Sequence, residues 1–136
     1  MTAVLNSELI SNRAAYTLGQ APPIPKPRLR LFVAAVDPTC EDSITDYEEC
    51  TLAGYASVPL VPGNWSCSQA ACVETCTYPL ITFTFTAGGE TIYGHFVTDD
   101  TSGGLMFSEL WTTPFAVPSS GGSVQVTVQW VDQECP

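Results

Sequence analysis

The clearest pattern along the chain is strict alternation. In Leu80-Ile-Thr-Phe-Thr-Phe-Thr86, extended backbone sends Ile81, Phe83 and Phe85 to one face and Thr82, Thr84 and Thr86 to the other. Ser123 to Asp132 repeats the rule, with Val124, Val126, Val128 and Trp130 opposite Gln125, Thr127 and Gln129. Further β-prone runs lie at Leu29 to Val36, Leu52 to Val61, Thr91 to Thr98 and Leu105 to Trp111, separated by Gly, Pro and Asp. Short strands are also expected around Ile44 to Tyr47 and Phe115 to Val117. Pro59 marks its run as an edge or an interruption. Ala87-Gly-Gly-Glu90 predicts a hairpin joining the 80–86 run to the 91–98 run. Alternation, rather than continuous apolar runs, implies antiparallel sheets with one wet face. The expected fold is all-β, an antiparallel β-sandwich or a jelly-roll or barrel-like domain, preceded by an extended N-terminal arm.

The arm is expected over residues 1–28 and the β domain over 29–136. Pro22, Pro23, Pro25 and Pro27 remove four backbone donors within Gln20 to Arg28, which favours a stiff polyproline-like spacer. Met1 to Ala15 lacks a cationic segment followed by a long apolar one, so it does not read as a secretory signal and predicts synthesis in the cytoplasm.

Charge sharpens this division. The 136 residues hold 4 basic and 14 acidic side chains, for a net charge of −10. All the cations, Arg13, Lys26, Arg28 and Arg30, fall in the first thirty residues, and none follows. An acidic body repels phosphate backbones, so nucleic acid is not an expected partner, and no apolar run is long enough to predict a membrane span. Carboxylates without local cations must stay solvated or face basic groups elsewhere. The four cations are therefore the candidate docking residues of the arm.

Six cysteines, Cys40, Cys50, Cys67, Cys72, Cys76 and Cys135, predict a disulfide framework. Three of them sit in an expected irregular loop at 62–79. Bridges from Cys67 or Cys72 to Cys76, and from Cys40 to Cys50, would close short loops, and Cys135 would pin the last strand to the remaining loop cysteine. A zinc site from Cys67, Cys72, Cys76 and His95 is disfavoured because no Cys-x2-Cys knuckle is present. Asp99-Asp100 before Gly103-Gly104, and Asp37 with Glu41 and Asp42, read as turn residues rather than calcium ligands. His95 reads as a sheet residue bonded locally. No catalytic or nucleotide-binding motif appears, so neither enzymatic activity nor a cofactor is expected.

Several phrases recur as an ordered set: Leu29-Arg-Leu-Phe32, Asp37-Pro-Thr39, Ile44-Thr-Asp-Tyr-Glu-Glu49, Gly54-Tyr-Ala56, Trp65, Thr91-Ile-Tyr-Gly-His-Phe-Val-Thr-Asp99 and Leu105-Met-Phe-Ser-Glu109. Over roughly residues 29 to 110 the chain resembles small virion proteins of tailed bacteriophages, cyanophages among them. The resemblance implies a capsid cement or decoration protein on the outer surface of the head. Its implied partners are the major capsid protein and further copies of itself in a homotrimer. A particle assembled in the cytoplasm and later released would reconcile disulfides with a missing signal. The alternative is a tail or fibre-associated protein that touches host glycans through Trp65 and Tyr78. The cysteine-rich stretch departs from the family's pattern.

Overall fold

The computed structural model describes residues 4–5, 18–19 and 24–133. Among the described residues there are ten strands: β1 (Val4–Leu5), β2 (Pro27–Phe32), β3 (Val58–Pro59), β4 (Ser66–Ala70), β5 (Val73–Thr77), β6 (Ile81–Phe85), β7 (Thr91–Asp99), β8 (Leu105–Ala116), β9 (Gly122–Val126) and β10 (Gln129–Gln133). The fold is all-β and antiparallel throughout. One sheet runs β1-β8-β7-β2-β3, and β6 pairs with β9 in a second layer. Leu29, Leu31, Val97 and Phe107 from the first sheet pack against Phe83, Phe85, Val126 and Val128, which makes a sandwich.

The two alternating runs behave as written: Phe83 and Phe85 are buried while Thr82, Thr84 and Thr86 are exposed, and Val126 and Val128 are buried between exposed Gln125, Thr127 and Gln129. Their pairing differs from expectation. Strand β6 pairs with β9, not β7, in the register Ile81↔Val126 to Phe85↔Gly122. The Ala87–Glu90 segment is a crossover between layers. A Cβ on Gly88 would stand 1.8 Å from the Pro118 carbonyl oxygen. The Val117 amide donates to Glu90, 3.0 Å away. That close approach requires Gly88, while Gly89 is needed for its φ of +114°.

Strand β7 departs from alternation, being buried on both faces over most of its length. Its second face is covered by the segment after β2, where Tyr47 stacks on Phe96 at 5.3 Å and meets Phe32 edge-on at 5.1 Å. The expected strand at Ile44 to Tyr47 is a 3-10 turn, Ile44–Asp46, preceded by Ser43, whose amide donates to Asp46 at 2.7 Å. Of the Leu52 to Val61 run only Val58–Pro59 is strand, pairing with β2 at the sheet edge.

Strands β5-β6 and β10-β9 form a single long ribbon with a bend. Thr77 faces Gln129 and Ile81 faces Val126, so Tyr78-Pro79-Leu80 opposes only Thr127-Val128. Pro79 has no amide to give, which favours the irregularity there. Past the bend β4 joins the ribbon, and the expected irregular loop at 62–79 is in large part the β4–β5 hairpin. Its two connecting residues, Ala71 and Cys72, have φ of 51° and 64°. Non-glycine residues resist that region.

The arm boundary also shifts. Val4–Leu5 pairs along β8 opposite Phe107 and Ser108. Arg28 and Arg30 are not arm residues: they belong to β2, which lies between β7 and the edge strand β3 of the five-stranded sheet. Arg28 binds Asp100 at 2.9 Å and Arg30 binds Glu49 at 2.9 Å. The body thus neutralises two of its own carboxylates with cations that sequence position assigned to a tether. Lys26 is exposed, and its amide donates to Asp99 at 2.8 Å. Arg13 lies outside the described residues.

Candidate binding site in the inter-sheet cleft

The most unusual chemistry lies inside the sandwich. In the sheet register His95 stands between Leu31 on β2 and Glu109 on β8, and Val97 stands between Leu29 and Phe107. His95 and Glu109 therefore share the face that packs on β6 and β9. His95 is 1 % exposed.

An irregularity in β8 opens this region. Ile92 faces Phe115 and Gly94 faces Leu110, so Trp111-Thr-Thr-Pro114 opposes Tyr93 alone. Pro114 cannot contribute a ladder amide, and such bulges re-aim side chains. Gly94 permits the close approach, since a Cβ there would lie 2.0 Å from the Glu109 carbonyl oxygen and 2.6 Å from the Phe32 ring. Trp111 swings toward the imidazole, and its indole Nε1 donates to His95 Nδ1 at 2.9 Å. The result is a cleft of about 410 Å³ walled by Trp111, Thr113 and Phe115 on one side and Val124, Val126 and Thr127 on the other, with His95 and Glu109 at its base.

The indole contact fixes the tautomer. Indole only donates, so Nδ1 must be the bare nitrogen and Nε2 carries the proton. Burial holds the imidazole pKa down at about 4, so the ring is neutral near pH 7. Nε2 has no hydrogen-bond partner, and the nearest carboxylate oxygen, Glu109 Oε2, stands 3.7 Å away. Burial also pushes the Glu109 carboxyl above its usual range. With its Nδ1 lone pair engaged by Trp111 and Nε2 protonated, neutral His95 presents a hydrogen-bond donor at Nε2. Sequence reading placed His95 on a strand with a local bond and missed this cleft, because the cleft depends on the cross-strand partner of His95 and on the bulge beside it.

The other residues singled out in the sequence are dispersed. Cys67 and Cys76 face each other across β4 and β5 and form a disulfide. Cys72 is also disulfide-bonded, and Cys135 lies outside the described residues. Cys40 and Cys50 are free thiols, so the expected bridge between them does not form. Cys50 instead lies in the core, where burial raises its pKa. The zinc set is dissolved by these bonds, and the grouping of Cys67, Glu74 and Cys76 offers no thiolate. Trp65 and Tyr78 do not form an exposed aromatic platform. Tyr78 is buried, its hydroxyl accepts from the Val61 amide at 2.9 Å, and Trp65 packs edge-on against it at 5.1 Å.

Asp99 acts as a turn carboxylate, accepting from the amides of Lys26 and Thr101, each at 2.8 Å. Burial would raise its pKa, but these bonds outweigh that effect and hold it below the usual range. Asp42 follows the same balance, with Thr39 and Tyr47 as donors. No protein-family model matches the chain, and neither a curated protein nor a solved structure shows significant similarity to it.

Proposed function

We propose that the chain is a structural protein of a tailed-phage particle, acting as a cement or decoration protein that braces major capsid subunits at the head surface. The observation that carries this reading is the β4–β5 hairpin. Residues 66 to 72 are exposed throughout, carry no charge, and are fastened by the Cys67–Cys76 bond on an otherwise acidic domain. A rigid finger whose β4 strand and tip are neutral, with Glu74 on β5 its one carboxylate, approaches an acidic neighbour with less of the Coulombic penalty that the body's carboxylates meet, and a pre-ordered contact loses little entropy on docking. Disulfide bonding also suits an object that persists in non-reducing surroundings.

Docking through Arg28 and Arg30 is not retained, since both are occupied within the domain. Mass spectrometry of purified particles gives the test through copy number. Hundreds of copies per particle support a shell protein, and a dozen or fewer assign the protein to the tail. Absence from particles overturns the reading. Replacing Cys67 and Cys76 with serine is expected to reduce occupancy while the sandwich stays folded.

A further inference from the structure

We propose that the cleft between β8 and β9 binds the ring of a saccharide, one hydroxyl of which bridges His95 and Glu109. This does not depend on the particle reading. His95 Nε2–H is a buried donor without a partner, and Glu109 Oε2 is an acceptor 3.7 Å from it. The gap is too long for a direct hydrogen bond. A hydroxyl oxygen seated beside both groups accepts from the imidazole and donates to the carboxyl group, so one atom meets both needs. An ammonium group cannot accept from Nε2–H, a carboxylate ligand faces Glu109 with like charge, and an apolar ligand leaves both groups unmet.

Size and lining extend the argument beyond a single water. The cleft holds about 410 Å³, whereas one water occupies roughly 30 Å³ in the liquid. Trp111 and Phe115 supply aromatic surface for the C–H face of a ring. Gln125 and Thr127, both exposed on the facing strand and the turn after it, supply polar atoms at the rim for further hydroxyls. An apolar wall with a few convergent polar groups is how small-molecule sites are generally built.

The test is a titration of the full chain with glucose, galactose, rhamnose and N-acetylglucosamine, followed by the NMR resonance of the Trp111 indole N–H, which is assigned with Trp111→Phe. Glycerol and cyclohexanol serve as controls. At least one sugar is expected to shift that resonance saturably at millimolar concentration. Glu109→Leu should weaken binding by about tenfold or more, in line with loss of a hydrogen bond to a charged group. Thr127→Trp, at an exposed rim position, should block entry while the remaining spectrum is unchanged. The proposal is overturned if no sugar shifts the resonance, if cyclohexanol alone or glycerol equally does so, or if binding survives in Thr127→Trp.

Discussion

Arg30 grips Glu49 with a single guanidinium nitrogen, Nη1, which donates to both carboxylate oxygens at 3.0 and 2.9 Å. The same carboxylate accepts from the Tyr55 hydroxyl at 2.9 Å, and that hydroxyl accepts from the Leu31 amide at 3.1 Å. The cluster fastens the segment after β2 back onto β2. Both charged side chains are about a quarter to a third exposed, so the pair is worth less than a buried one. Arg30→Met is expected to destabilise by about 1 to 2 kcal/mol, less than the largest charged hydrogen bonds. Urea denaturation at low and high salt measures it, and salt should shrink the difference between variant and parent.

Protonation of His95 sets an acid limit on stability. Its folded pKa is about 4 against 6.5 for the free side chain. The unfolded chain therefore binds the proton first, and stability falls as pH drops from about 6.5 toward 4. The full shift corresponds to about 3 kcal/mol. Glu109, facing His95, works in the opposite sense: its raised pKa contributes stability that is present at low pH and lost as pH rises through its folded value. Asp42 and Asp99, both lowered, lose their contributions only below 3.8. Denaturation midpoints from pH 7 to pH 4 should show the loss, and His95→Gln should flatten the slope while lowering stability at neutral pH.

Removing the Cys67–Cys76 bond should loosen the finger and spare the sandwich. The closed loop is short, with a sequence separation of 9, and chain entropy assigns such a closure about 2 to 3 kcal/mol. Ala71 and Cys72 hold left-handed backbone at the tip of this hairpin, a conformation that the surrounding structure has to maintain. Hydrogen exchange is the suitable measurement. Amides of β4 and β5 should lose protection in the double serine variant, and amides of β7 should keep theirs.

Gly94→Ala tests the close approach that builds the cleft. The new methyl group would overlap the Glu109 carbonyl and the Phe32 ring, and overpacking of this kind costs about 1 to 3 kcal/mol. The Trp111 indole resonance should move as well, because displacement of β8 carries Glu109 and Trp111 with it.

What was legible in the sequence was local. Alternation at Ile81 to Phe85 and at Val124 to Trp130 identified the wet and dry faces correctly, because side-chain direction follows from the two-residue period alone. Partner choice is not local. Gly88 and Gly89 suit a hairpin turn and suit equally a tight passage beside Val117 and Pro118, and only the folded chain distinguishes them. The same limit hid the cleft: nothing near His95 in sequence announces that Glu109 lies opposite it. Arg28 and Arg30 misled for a related reason. They follow a proline-rich stretch and look like its continuation, yet Leu29 and Leu31, which alternate with them, are wholly buried, so their alternation belonged to the first core strand.

The bent ribbon has a mechanical consequence. Its near half is a wall of the sandwich and its far half carries the finger, so both are one pair of strands passing through Tyr78 to Leu80. A pull applied at Ala71 along the strands is resisted by ladder bonds stretched side by side, whereas a sideways push tips the ribbon about the proline elbow and is borne by Val126, Val128 and Phe83. The domain should withstand tension along the finger far better than torque across it.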